Sequence, residues 1–236
     1  MPSVPVASRF LYALAWLLGR LPRPLQRGLG TALGDLAWRA NGREPRVARR
    51  NLELALPDLA PGEREALVRA VMHETGRTAL ETLRLWTARR EATLRLVPAE
   101  ATAMRPLLRA LQAGEVVGIT PDHQPKLGGG EFAPFFGVRA LTLSLIPKLA
   151  ARTGAPVLMG YAERHADGRF TVRFEPAPAA IASRDLVVAT TAMNAAVEAI
   201  ARRDLRQYQW TYKRYTLRPP GSGEPNPYQR PRKEPG

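Results

Sequence analysis

Val116-Val-Gly-Ile-Thr120, followed at once by Pro121-Asp-His123, is the stretch on which the fold turns. It reads as a buried strand with a polar pair at its carboxyl end, where ligands bind in open α/β sheets. Upstream, 106–111 reads as a short helix stopped by Gly114. Further back, 61–86 reads as a long helix: Pro61 suits its first turn, Glu63 and Glu65 complement its positive end, and Leu67, Val71, Met72, Ala79, Leu80 and Leu83 recur at the spacing of a buried face. Downstream, a helix is expected around 143–152, with Pro147 marking a kink or a late start. Two strands follow, 157–163 and 169–175, joined through Asp167-Gly168. A long helix spans 185–203, and the Pro- and Gly-rich tail from Pro219 is irregular. The alternation predicts an α/β fold.

Phe10 to Leu18 is an uncharged, mostly apolar run between Arg9 and Gly19. About 20 such residues are needed to cross a bilayer, so the run is too short to span. It suits a helix lying in the membrane interface, with Tyr12 and Trp16 at headgroup level; a core helix of a soluble domain is the alternative. Residues 1–50 hold nine arginines against two acids, within a formal net charge of +14 for 236 residues. Only four of the 35 basic residues are lysines, which points to a compositional bias as much as to a basic face. No helix-turn-helix, zinc-finger spacing or aromatic-interleaved strand supports nucleic acid, whereas an anionic membrane attracts the same charge. The absence of cysteine excludes a disulfide framework and a cysteine nucleophile.

Widely spaced blocks carry a family resemblance. They are Arg49-Arg50-Asn51-Leu52 with Leu56-Pro57, Gly76-Arg77-Thr78-Ala79-Leu80-Glu81, Pro121-Asp122-His123, Phe132-Ala-Pro-Phe-Phe-Gly137 and Ala150-Ala-Arg-Thr-Gly-Ala155. Asp185, Met193-Asn194, Glu198, Gln207-Tyr-Gln-Trp-Thr-Tyr-Lys-Arg214 and Arg218-Pro219 complete the series. In order and spacing the chain resembles the lipid A biosynthesis lauroyl/myristoyl acyltransferases. The resemblance implies a glycerolipid-acyltransferase-like mixed sheet flanked by helices, behind an N-terminal membrane-associated helix. It implies three parts: a membrane-associated segment 1–42, an acyltransferase-like α/β domain 43–218, and the tail 219–236. It also implies a fatty acyl chain taken from acyl carrier protein, or from acyl-CoA, to a hydroxyl of a lipid A precursor or related lipid. The protein is then expected as a monomer on the cytoplasmic face of the cytoplasmic membrane, with membrane lipid and acyl carrier protein as partners and no metal or cofactor.

The family's chemistry rests on a His followed five residues later by Asp or Glu, in which the carboxylate orients an imidazole base. Here the residues five positions after His73, His123 and His165 are Thr78, Gly128 and Phe170. The segment that should carry the motif, between 77–85 and 116–120, is shorter than the resemblance leads one to expect by roughly 50–60 residues, so the sheet is expected to be reduced. His123 with Glu131, across Gly128-Gly-Gly130, is the one candidate replacement. Asp122 and His123 are carried over as acceptor-pocket residues, Asp122 having a turn cap as its structural alternative. Arg89 (or Arg90) is carried over as a substrate-binding arginine that the family places before its next strand, and the pair Lys213 and Arg214 as contacts to phosphate or headgroup; packing of the aromatics against a solvated edge is the alternative for the pair. Two functions follow, an acyltransferase and an inactive relative that keeps lipid or carrier-protein binding.

Overall fold

The structure, a computed structural model, describes residues 6–87, 96–97 and 104–229. Four helices open it: α1 (Val6–Arg20), α2 (Arg23–Ala40), α3 (Arg43–Ala55) and α4 (Pro61–Thr87). The long helix expected at 61–86 is α4, whose Val68, Val71, Met72 and Leu80 are buried. α2 lies along α4 at a distance only glycine allows. A Cβ on Gly34 would stand 2.2 Å from the Met72 carbonyl oxygen, and one on Gly76 would stand 2.1 Å from that of Gly30. Gln26, also buried, donates to the Leu80 carbonyl at 3.0 Å. Trp38 and Arg49 share the Glu65 carboxylate, which fastens α2 and α3 to the start of α4.

α5 (Met104–Gln112) is the short helix expected before Gly114, whose φ of +78° closes it. The strand expected at 116–120 does not form, and Val116 is 98% exposed. A strand needs a hydrogen-bonded neighbour; among the described residues none lies beside this stretch, so an apolar sequence alone leaves it irregular. The stretch 92–97, where the sequence leaves room for one short strand, lies, but for Leu96 and Val97, outside the described residues.

Nor is there a mixed sheet among the described residues. Instead there are two separate antiparallel pairs, β1 (Gly130–Phe135) with β2 (Val138–Leu143), and β3 (Leu158–Arg164) with β4 (Phe170–Pro176). A mixed sheet requires a parallel pair and its crossover, and no described segment supplies them. The β3–β4 hairpin and its Asp167-Gly168 turn match the expectation, with Gly168 at φ +82°. The β1–β2 hairpin was not expected. Its two-residue turn sets both Phe136 and Gly137 at positive φ, as a type I′ turn requires, but phenylalanine is no turn signal.

Between the hairpins lies α6 (Leu145–Thr153), starting late enough to hold Pro147 in its first turn. A 3-10 turn (Ala179–Ala182) leads to α7 (Leu186–Arg203). Asp185 caps α7, accepting from the amides of Val187 and Val188. The core gathers Ala48, Leu52, Val68 and Val71 from the helices around Phe135, Phe136, Trp210 and Tyr215. The rings meet edge-on, with centroids 4.9 Å apart for Phe135–Phe136 and 5.1 Å for Phe136–Trp210.

Candidate functional site

The blocks that carry the resemblance are wired to one another. Asn51 on α3 donates to the carbonyls of Trp210 and Tyr212, and accepts from the Tyr228 hydroxyl. Asn194 on α7 donates to the carbonyls of Ala133 and Pro134 and bonds Thr142, so it clasps both strands of the first hairpin. Glu198, one turn further on, accepts the Phe136 amide at 2.6 Å and holds that positive-φ residue in place. Arg164 at the end of β3 reaches α4, where it pairs with Glu74 and Glu81 and donates to Thr78. Buried polar groups of this kind cost stability unless paired, and each of these is paired.

This wiring frames a cleft of about 460 Å³ between the loop at 120–122, the inner face of β3 and the carboxyl end of α7. Met159, Val197, Ile200 and Ala201 give it an apolar floor. Its polar wall is a chain of neutralised charges. Tyr161 donates to Glu175 at 2.7 Å, and the Arg203 guanidinium grips the same carboxylate with bonds of 2.9 and 2.7 Å. Desolvation and the bond to Glu175 push the Tyr161 phenol up, while Arg203, then Tyr161, hold Glu175 below the usual carboxylate range. Tyr208 closes the back; burial first, and then the charge of Asp122, push its phenol far up.

Asp122 therefore does stand at a cleft, beside Tyr208. His123 points elsewhere: it is exposed, and its ring packs 5.4 Å from that of Tyr212. No hydrogen bond or ion pair among the described residues joins it to Glu131, which sits in β1 opposite Thr142. The neighbouring Gln124 ties the loop down, donating its amide to the Tyr212 hydroxyl and accepting from the Leu217 amide. Lys213 lies over the Tyr228 ring, 5.7 Å from its centroid. Arg214 is not at an edge at all. It is 3% exposed and donates to the Leu141 carbonyl and the Thr142 hydroxyl, so its guanidinium is committed to β2. Burial pulls it below its ordinary value. Arg89 and Arg90 lie outside the described residues.

One imidazole–carboxylate contact went unread in the sequence. His73 Nε2 lies 3.4 Å from Asp35 Oδ1, across the α2–α4 seam. Thirty-eight positions separate the two residues, and no local motif announces them. The same carboxylate also serves Arg69 at 2.6 Å and Arg39 at 2.9 Å, and it does not line the cleft. His165 stands on the cleft's lip, bonded to the Thr171 hydroxyl at 2.7 Å. The arrangement can hold a partly apolar ligand and hydrogen-bond its polar end.

The pattern of the bacterial lipid A biosynthesis acyltransferases matches in two stretches, 3–93 and 85–216, which together cover most of the chain. The chain belongs to this family. It is 25% identical to the lipid A biosynthesis lauroyltransferase of Escherichia coli K12, over 87% of this chain and 90% of that one. It is also 25% identical to the palmitoleoyltransferase of the same organism and to a lipid A biosynthesis acyltransferase of Shigella flexneri, over 90% and 92% of the respective lengths. The lauroyltransferase alignment is 275 residues long but uses 87% of these 236 residues, or about 205. Roughly 70 of its positions thus have no counterpart here. The two pattern stretches meet at 85–93, inside the region where the missing segment is expected.

Proposed function

We propose that this chain is a membrane-surface member of its family that binds lipid at the cleft without catalysing acyl transfer. The observation that carries the reading is the state of its three histidines. None is followed five residues later by an acid, and the one described imidazole–carboxylate contact shares its acid with two arginines away from the cleft. A base must reach the hydroxyl proton it removes. His123, its ring tilted against that of Tyr212, has no acid among the described residues to orient it.

Membrane association rests on α1, where Phe10, Leu11, Tyr12 and Leu17 are exposed and Arg20 lies over the Trp16 ring. No described helix is long and apolar enough to cross a membrane. The cleft would take the lipid, with Asp122 and Tyr161 at its polar end. The basic surface would suit an acidic acyl carrier protein as a binding partner.

The test is acyl transfer by the purified protein from acyl carrier protein to a lipid A precursor, beside His123→Ala. The expected result is no turnover above background for either protein. Turnover by the wild type that His123→Ala abolishes would make His123 the base; turnover that survives would require a base elsewhere. Either result refutes the reading.

A further inference from the structure

Helix α2 is built inside out. Its buried positions are Gln26, Gly30 and Gly34, one polar and two without a side chain. Its opposite face, Leu25, Gly28, Leu29, Ala32, Leu33 and Leu36, carries no charge before Arg39 in the last turn, and all six residues are exposed, the leucines by 40–63%. A helix on the surface of a soluble domain turns its leucines inward and its polar residues out. Here the glycines against α4 force the reverse, because a leucine on that seam would collide with backbone. A contiguous apolar face of this kind marks a contact surface.

The charge around the face selects its occupant. Arg9, Arg20, Arg23 and Arg39 are exposed on α1 and α2. The one acid between residues 6 and 40, Asp35, is neutralised by Arg39 and Arg69. An isologous dimer through this face would set each arginine rim against its own copy. An anionic bilayer meets the leucines with acyl chains and the arginines with phosphates.

We infer that α2 itself docks into the membrane, its leucine face lying in the interface of an anionic bilayer beside α1. The inference rests on the membrane reading above and adds to it a second docking helix, one held rigidly to the core by α4. The α1 helix then orients with the protein rather than serving as a loose tether.

The experiment is vesicle co-sedimentation with phosphatidylcholine, with and without phosphatidylglycerol. It uses the full chain, Leu29→Ser/Leu33→Ser with α1 intact, and Ala32→Cys carrying a polarity-sensitive fluorophore, the sole thiol in the chain. Expected are binding of the wild type to the anionic vesicles, at least tenfold weaker binding by the double variant at unchanged helicity and thermal midpoint, and a blue shift of the label. Should the double variant fail to fold, the label alone decides. Equal binding by wild type and variant, with the label still in water, overturns the role of α2 and leaves the membrane reading standing. No binding by the wild type removes both. A wild-type dimer that the variant dissolves, with no blue shift on vesicles, makes the face an interface between copies and also overturns the inference.

Discussion

Asn51 donates to the carbonyl oxygen of Trp210 at 2.6 Å, across 159 positions of chain, and both residues are buried. The same amide serves Tyr212, and its oxygen accepts from Tyr228. Asn51→Ala would leave the buried Trp210 carbonyl without its partner and take one partner each from the Tyr212 carbonyl, which keeps the Arg214 amide, and from the Tyr228 hydroxyl, which keeps the Tyr215 amide. The expected loss is about 2–3 kcal/mol, read from urea unfolding. Tyr228, whose phenol burial pushes up to about 12, should then titrate closer to an ordinary tyrosine as its site opens.

Two glycines of one helix should answer alanine in opposite ways. Gly34→Ala puts a methyl group 2.2 Å from the Met72 carbonyl, against backbone that cannot rotate away. It should cost about 1–3 kcal/mol by separating α2 from α4. A Cβ on Gly28 meets nothing within 4 Å, and alanine there should stabilise by roughly 0.5–1 kcal/mol through helix propensity. Thermal melts of the two variants, run together, test the seam.

The Glu65 carboxyl, held below the usual carboxylate range mainly by the Arg49 guanidinium, ties stability to pH. The unfolded chain takes up the proton first, near the ordinary value of 4.5. The contribution is therefore present in full above that value and is lost as pH falls through the lower folded one. Wild type should be more stable than Glu65→Gln at pH 7, and the difference should shrink below about pH 4.5. A denaturation series from pH 7 to pH 3 measures it.

Among the described residues Asp122 caps no backbone amide, and it lines the cleft beside Tyr208. Asp122→Ala should change stability by less than about 0.5 kcal/mol. Binding of a fluorescent lysophospholipid should weaken at the same time. A large loss of stability with unchanged binding would make Asp122 a structural residue.

Helices with a strong apolar period, α4 and α7, and the Asp-Gly hairpin β3–β4 were legible in the sequence because local signals and final packing agree there. The stretch 116–120 was misread because its apolar pattern is that of a strand, whereas a strand also needs a neighbour. The β1–β2 hairpin was invisible because its turn relies on Glu198, 62 positions away, to hold Phe136 at positive φ. Of the site, Asp122 was placed by its position after an apolar run. Arg214 was read as a surface cation because charge alone does not reveal that its partners are the Leu141 carbonyl and Thr142. Nothing on α2 announced that its leucines face outward; that follows from where glycines meet α4.

The closing of residues 207–228 over α3 sets an order on biosynthesis. Asn51 leaves the ribosome about 160 residues before the carbonyl it must satisfy. At ordinary elongation rates that is a wait of roughly 10–30 s, long compared with helix formation. During that interval α1, α2 and α4 can assemble around their glycine seam while the aromatic core still lacks Trp210 and Tyr215. A nascent chain of this protein therefore presents its leucine face to the cell before it has an interior.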